Sequence, residues 1–346
     1  MASSYHVALL SPAVGSRNVG DHLIELAIRR LLGPEALYHR FSIRRPLTGS
    51  EIEQINETAC SLICGTNLYQ HDWESALTPL MLERITVPVI PFGVGSSAAR
   101  LDDTHVDETT RRMIRAIHDR CALGSVRDPH AQRVVARAGV DNVILTGCPV
   151  LFWDRRGRLP AVEPRRRRRL VLTARNWLMH HWPSNVDHPA QIELLRRLLA
   201  HFERVPIVFA VHEDFDRRLL RLLNVPADMV LDSCDAQDYV RLYCDPDNVV
   251  LAMRLHAGML ARANGLPVVF VGHDTRTYAF CDMLGIECLD LFAADCAERC
   301  IDRLADALAG RAAAPDQACL RFDALRAAMD RFLAANRLPA PQEVTA

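Results

Sequence analysis

The sequence predicts an α/β protein made of two Rossmann-like parallel-sheet domains facing across a cleft, and three observations lead there. Short apolar runs rich in Val, Ile and Leu alternate with longer stretches of helical period along most of the 346 residues. The runs are apolar throughout rather than alternating, as expected of strands covered by helices on both faces. At 154–169 the pattern breaks into Arg-Arg-Gly-Arg and, after Glu163-Pro164, five consecutive arginines. A like-charge block with Pro and Gly reads as a solvated linker, which leaves a sheet domain on either side and an interdomain cleft.

In chain order, the runs His6–Leu10, Ser61–Cys64, Pro88–Phe92, Ala122–Val126 and Asn142–Leu145 are strands of the first domain, residues 1–153. Leu170–Thr173, Pro206–Val211, Val249–Ala252 and Pro267–Val271 are strands of the second, residues 170–312. Asp21–Leu32, His105–His118, Pro129–Ala138, Pro189–Phe202 and Gln237–Cys244 have helical period. An amphipathic stretch within 313–337 is expected to pack back as a terminal helix, and 338–346 to be a disordered tail.

Composition excludes several classes of function. Hydrophobic residues make up 49% and charged residues 24%, the proportions of a chain with a real core. A net charge of −1 offers no global field for a polyanion, which argues against nucleic-acid binding. All 41 basic residues are Arg, so no mechanism that needs a lysine is open. The 11 cysteines form no C-x-x-C pair, which fits reduced thiols, many of them acting as small buried hydrophobes. Residues 1–11 carry no signal-peptide pattern and no apolar run reaches membrane-spanning length, so a soluble, cytoplasmic protein is expected.

In parallel sheets, ligands gather beyond the carboxyl ends of the strands, beside helix N-termini. In the first domain those ends lead into Gly15-Ser16-Arg17-Asn18-Val19-Gly20-Asp21 and then Cys64-Gly65-Thr66-Asn67-Leu68-Tyr69-Gln70-His71-Asp72-Trp73. Asn18 or Asp21 can cap the helix that follows, or Asp21 can hold or deprotonate a sugar hydroxyl. The second loop mixes amide, carboxylate and aromatic side chains, as carbohydrate sites do, and reads equally well as a structural loop. Phe92-Gly93-Val94-Gly95-Ser96-Ser97 offers backbone N–H groups in the same way.

In the second domain a buried strand delivers Arg175, which is costly to desolvate unless paired and is therefore expected at the cleft. His212-Glu213-Asp214 follows another strand, where the acids can simply begin a helix. The strongest local signal is Arg254-Leu255-His256, between an apolar strand and a small-residue helix that ends at Gly265-Leu266-Pro267. An arginine suited to bidentate carboxylate or phosphate contact sits two residues from a histidine at a helix N-terminus, a pairing that suits a small phosphorylated acid.

Further pieces complete an ordered set: Ser125-Val126-Arg127-Asp128, Gly147-Cys148-Pro149-Val150 and His273-Asp274-Thr275-Arg276. Together with Asn18-Val19-Gly20-Asp21, Arg175 and Arg254-Leu255-His256, they resemble the polysaccharide pyruvyltransferase family from about residue 5 to about residue 290. The chain departs from many relatives in having one glycine at Cys64-Gly65-Thr66-Asn67, and His273-Asp274 where many have Tyr-Asp.

The resemblance implies a GT-B-like fold, phosphoenolpyruvate as donor with no further cofactor and no metal, and a pyruvate ketal on two sugar hydroxyls as product. Matched to the family pattern, Arg175, Arg254, Leu255 and His256 fall on the donor side. His256 would act as general acid, with Arg254 assisting. Asn18, Asp21, Asn67, His71 and Asp72 are expected on the acceptor side, where Asp21, His71 and Asp72 are the candidates to accept a proton. The expected partners are phosphoenolpyruvate and a sugar, glycolipid or polysaccharide-repeat acceptor, with no nucleic acid and no transmembrane segment; peripheral membrane association stays open. The competing readings are a glycosyltransferase using a nucleotide sugar and a non-catalytic carbohydrate-binding relative.

Overall fold

The structure is a computed structural model, and it describes residues 5–73, 75–98, 100–153, 159–175, 188–311 and 317–339. The chain divides into two compact units. The first comprises 1–16, 21–158 and 322–346, and the second 17–20 and 159–321.

The first unit is built from β1 (Tyr5–Ser11), α1 (Val19–Leu32), β2 (Ala36–Ser42), α2 (Gly49–Asn56), β3 (Cys60–Cys64) and α3 (Pro79–Arg84), followed by β4 (Val89–Phe92), α4 (Glu108–His118), β5 (Gly124–Val126), α5 (Pro129–Arg137) and β6 (Val143–Leu145). The strands run parallel in the order β2-β1-β3-β4. A parallel bridge between Val94 and Val126 joins the β5–β6 pair to this sheet. The order reverses between β1 and β3, so the carboxyl ends of these two strands flank the position where such sheets bind ligands. β3 is buried along its whole length, which is why it is apolar throughout. Helix starts are marked locally: Asp128 caps α5 ahead of Pro129, and Thr48 forms a capping box with Glu51 at α2.

The second unit contains β7 (Arg169–Thr173), α6 (His188–His201), β8 (Ile207–Ala210), α7 (Asp216–Leu222), β9 (Val230–Leu231), α8 (Ala236–Cys244) and β10 (Asn248–Ala252), then α9 (Leu255–Ala263), β11 (Val268–Gly272), α10 (Thr275–Leu284), β12 (Cys288–Asp290) and α11 (Cys296–Ala309). A last helix, α12, covers Gln317–Ala335. The sheet is parallel with order β12-β11-β10-β7-β8-β9, and its reversal lies between β7 and β10. The close fit of α9 on this sheet explains Gly258. A Cβ there would stand 2.3 Å from a ring carbon of Phe270 and 2.7 Å from the Cβ of Ala252.

Three boundaries differ from the sequence reading. Residues 154–158 lie outside the described residues, but 159–169 do not run as a solvated linker. Arg167 is buried, its guanidinium donating to the carbonyls of Arg165 and Glu163 at 2.8 and 3.0 Å. Arg165 pairs with Asp247 at 3.0 Å, and Arg169 opens β7 with its side chain on Asn248 and Asp245. Arg165, Arg167 and Arg169 are thus satisfied by carbonyls and polar side chains of the second unit, while Arg166 and Arg168 are exposed. Residues 17–20, read as part of the first domain, are counted with the second.

The residues of α12 from Phe322 onward belong to the first unit, where Phe322 and Phe332 stack on Phe152 and Phe92 with ring centroids 5.0 and 4.8 Å apart. Leu338, expected at the head of a disordered tail, is buried, and its N–H bonds the Leu333 carbonyl. The rest of that tail, 340–346, lies outside the described residues. No helix among the described residues is long and apolar enough to cross a membrane.

Candidate active site

The reversal point of the second sheet brings together the residues that follow β7, β8 and β10. Thr173, the last residue of β7, has no solvent exposure. Its hydroxyl donates to the Leu251 carbonyl at 3.1 Å and accepts the N–H groups of Met253 and Arg254 at 3.0 and 3.1 Å. One side chain thus fixes the turn that carries Arg254 into α9. Arg254 stands at the N-cap of α9, no side chain caps that helix, and Leu255 and His256 are its first two residues. Leu255 is buried, so what it can offer a ligand is backbone.

Arg254 is itself nearly buried. Its Nε donates to the Ala174 carbonyl at 3.1 Å, and Nη2 reaches Asp216. Glu213 takes both terminal nitrogens, Nη1–Oε1 at 3.1 Å and Nη2–Oε2 at 3.3 Å. Burial by itself would lower the Arg254 pKa, but Asp216 and Glu213 more than offset it, and the net shift is upward. Asp216, first residue of α7, also accepts the N–H groups of His212 and Glu213 at 3.0 and 3.1 Å, so the carboxylate that holds Arg254 closes its own loop as well.

Arg175 donates to Asp274 at 3.0 Å. Burial pulls its pKa down, with Asp274 opposing. Asp274 caps α10 through the Thr277 N–H at 3.1 Å and is shared with Arg276 and with His273 at 3.3 Å. Burial tends to raise the Asp274 carboxyl, yet His273, Arg175 and the Thr277 N–H hold it well below the usual range. His212, on the Tyr243 hydroxyl at 2.6 Å, is held far below the ordinary histidine value by burial and by the neighbouring Arg254 and His256.

The segment 17–20 closes over this cluster within the same unit. The Val19 N–H bonds the His212 carbonyl at 3.0 Å, and Arg17 pairs with Asp214 at 2.8 Å. The Asn18 side chain accepts the Gly20 N–H at 2.9 Å, as a helix cap does. Gly20 lies against His256 so tightly that a Cβ would stand 2.7 Å from its Nδ1. Asn18, read from sequence on the acceptor side, therefore sits with the residues read on the donor side.

The remaining acceptor candidates lie in the first unit, each with its own partners. Asp21 is buried and accepts from Ser16 and Arg44, both at 2.7 Å. Asn67 accepts from the buried Arg127 at 3.0 Å, which ties the loop after β3 to Asp128 and the Ser96 carbonyl. His71 and Asp72 form an exposed pair at 2.7 Å. Asn176 and Trp177, which continue the chain from Arg175, lie outside the described residues. The sequence reading passed over Asp216, Thr173 and Gly20 as functional residues. Gly20 enters that reading only as part of the stretch 18–21, and each of the three meets Arg254, His256 or their turn from more than thirty positions away.

The family model for polysaccharide pyruvyl transferase matches residues 18–275, a span that contains the whole cluster from Asn18 to Asp274. The chain belongs to the polysaccharide pyruvyl transferase family. It is therefore a transferase of polysaccharide biosynthesis. A comparison with curated protein sequences returns no significant match.

Among solved structures, the fold is similar to a candidate UDP-N-acetylglucosamine 2-epimerase from Listeria monocytogenes, with a TM-score of 0.57 at 13% identity over 100% of both chains. It is similar also to Staphylococcus aureus MnaA solved with UDP, TM-score 0.54 at 11% identity, covering 93% of this chain and 91% of that one. A third is the UDP-GlcNAc 2-epimerase from Neisseria meningitidis bound to UDP-GlcNAc, TM-score 0.51 at 10% identity over 96% and 99%. At such identities the likeness concerns the fold, which is the GT-B type with two Rossmann-like domains.

Proposed function

We propose that this pyruvyl transferase moves the pyruvyl group of phosphoenolpyruvate onto two hydroxyls of a sugar, closing a pyruvate ketal in the synthesis of a cell-surface polysaccharide or related glycan. The observation that carries the reading is the pair Arg175 and Arg254, delivered by adjacent strands to the sheet's reversal point, beside His256 and the uncapped start of α9. A helix N-terminus and two guanidiniums suit a donor that bears both phosphate and carboxylate.

In this mechanism His256 protonates the methylene carbon of phosphoenolpyruvate, and the carbon bearing phosphate and carboxylate becomes oxocarbenium-like. The first sugar hydroxyl attacks that carbon and loses its proton, giving a tetrahedral adduct. Phosphate leaves with its bonding electron pair toward the arginines. The second hydroxyl then attacks the resulting cation and closes the ketal. A positioned general acid contributes ~10²–10⁴-fold. Asp21, His71 and Asp72 are the candidates to accept the hydroxyl protons, and of these Asp21 is the one ordered by Ser16 and Arg44.

The test is a thermal-shift titration with phosphoenolpyruvate, run beside uridine and cytidine diphosphates. At 100 times its Kd a ligand stabilises the fold by about 2.7 kcal/mol. Phosphoenolpyruvate is expected to raise Tm, Arg254→Ala to abolish that shift, and His256→Ala to keep the shift while lowering kcat. A shift with a nucleoside diphosphate and none with phosphoenolpyruvate would replace this reading with a nucleotide-sugar glycosyltransferase.

A further inference from the structure

Resting on the pyruvyl-transfer reading of this site, we infer that Glu213 occupies the place on Arg254 that an anionic group of the donor takes, and that the donor binds by displacing it. Both carboxylate oxygens of Glu213 face both terminal nitrogens of Arg254, at 3.1 and 3.3 Å. This two-on-two geometry is the one in which an arginine receives an external carboxylate or phosphate. The protein supplies from its own chain what a ligand would supply.

Arg254 does not depend on Glu213 to stay where it is. Its Nε is held by the Ala174 carbonyl at 3.1 Å and Nη2 by Asp216, whose side chain is 2% exposed and is itself fixed by two backbone N–H groups. Glu213 is the outer partner. Its side chain is 17% exposed against 8% for Arg254, and it belongs to the short connection between β8 and α7 rather than to either element. With Glu213 withdrawn toward solvent, Arg254 keeps the Ala174 carbonyl and Asp216, which hold its orientation. Withdrawing Asp216 would break the more buried of the two pairs and undo the loop.

The same charge relation makes Glu213 a determinant of specificity. Two negative groups cannot share one edge of a guanidinium, so a ligand enters only if it holds Arg254 better than Glu213 does. A doubly charged phosphate or a carboxylate backed by a second anionic group meets that condition, and a neutral sugar does not. Either anionic group of phosphoenolpyruvate has the chemistry for the place, and inorganic phosphate and pyruvate separate the two.

The experiment is isothermal titration of the full-length protein and its Glu213→Gln variant with phosphoenolpyruvate, inorganic phosphate and pyruvate. Glutamine keeps the size and removes the charge, so at least one of the three anions is expected to bind about tenfold tighter to the variant. Arg254→Ala in the same background should abolish the gain. Tightening with phosphate assigns the place to the donor's phosphate, and tightening with pyruvate to its carboxylate. If Glu213→Gln binds all three no better than, or more weakly than, the parent, Glu213 supports Arg254 instead of competing for it and the inference is wrong. If phosphate or pyruvate gains affinity while phosphoenolpyruvate binds neither protein, the displacement stands and the donor assignment falls. Glu213→Ala, which removes both oxygens, repeats the comparison should the glutamine variant not fold.

Discussion

Thr173→Val separates the anchor of the Arg254 turn from everything else about the site. The substitution keeps the β-branched shape at a position with no solvent exposure, so packing and strand preference are preserved. What it removes is one hydroxyl that donates to the Leu251 carbonyl and accepts from Met253 and Arg254. Each buried donor left without an acceptor costs ~1–3 kcal/mol, so the two N–H groups put the loss at about 2–4 kcal/mol once the turn relaxes. That is a large share of a domain stability of ~5–15 kcal/mol, and the urea midpoint should fall visibly. Phosphoenolpyruvate affinity should fall with it, because the turn also carries Arg254 and His256. Thr173→Ser restores the hydroxyl at the cost of one methyl, about 1 kcal/mol, and should recover ligand affinity. A valine variant within about 0.5 kcal/mol of the parent, with unchanged affinity, would show that the hydroxyl does not hold this turn.

The other predictions follow from single contacts. In Gly20→Ala the new methyl would lie 2.7 Å from Nδ1 of His256. A side-chain ring can yield where backbone cannot, so Tm should change little while kcat drops at least ~10-fold, as a displaced catalytic group would. His118, 1% exposed and bonded to the Tyr69 hydroxyl at 3.0 Å, has its pKa lowered by burial from 6.5 to about 4. The unfolded chain takes up this proton first, so stability is intact above pH 6.5 and is lost as pH falls toward 4, by about 3 kcal/mol from this group. Unfolding free energy measured across that window should decline less steeply in His118→Gln, and an unchanged slope would remove His118 as the cause.

Much of this fold is legible in the sequence because parallel sheets are written in a simple code. The central strands β1, β3, β4, β7, β8, β10 and β11 are buried on both faces and read as unbroken apolar runs. The edge strands do not. β2 carries His39 and Arg40 among its apolar residues, and β9 and β12 are two and three residues long, so periodicity gives no sign of them. The site divides in the same way. Arg254 and His256 are visible because a short apolar strand and a small-residue helix bracket them. Glu213 reads as a plain helix start, and Asp216 as nothing in particular, because their importance is a distance to Arg254 set by the order β10-β7-β8. Chain position suggests the first domain for Asn18, whereas residues 17–20 group with the second unit and contact His212, Asp214 and His256.

The carboxylates around the two arginines bear on how the proposed donor would be held. Two bare guanidiniums would attract an anion by net charge, which is what the sequence suggests. In the folded protein Arg254 faces Asp216 and Glu213, and Arg175 shares Asp274 with Arg276. Three arginines meet three carboxylates, so these six charges cancel. The two buried carboxylates, Asp216 and Asp274, also bond backbone N–H groups at helix starts, so they are fixed parts of the scaffold. They desolvate the arginines at tolerable cost and set their direction. In the displacement reading, affinity for an anion comes from orientation, from the start of α9, and from exchange with Glu213. A site organised this way gives up attraction at long range and gains discrimination at contact, since a ligand is held only if its charge is presented where Glu213 presents its own.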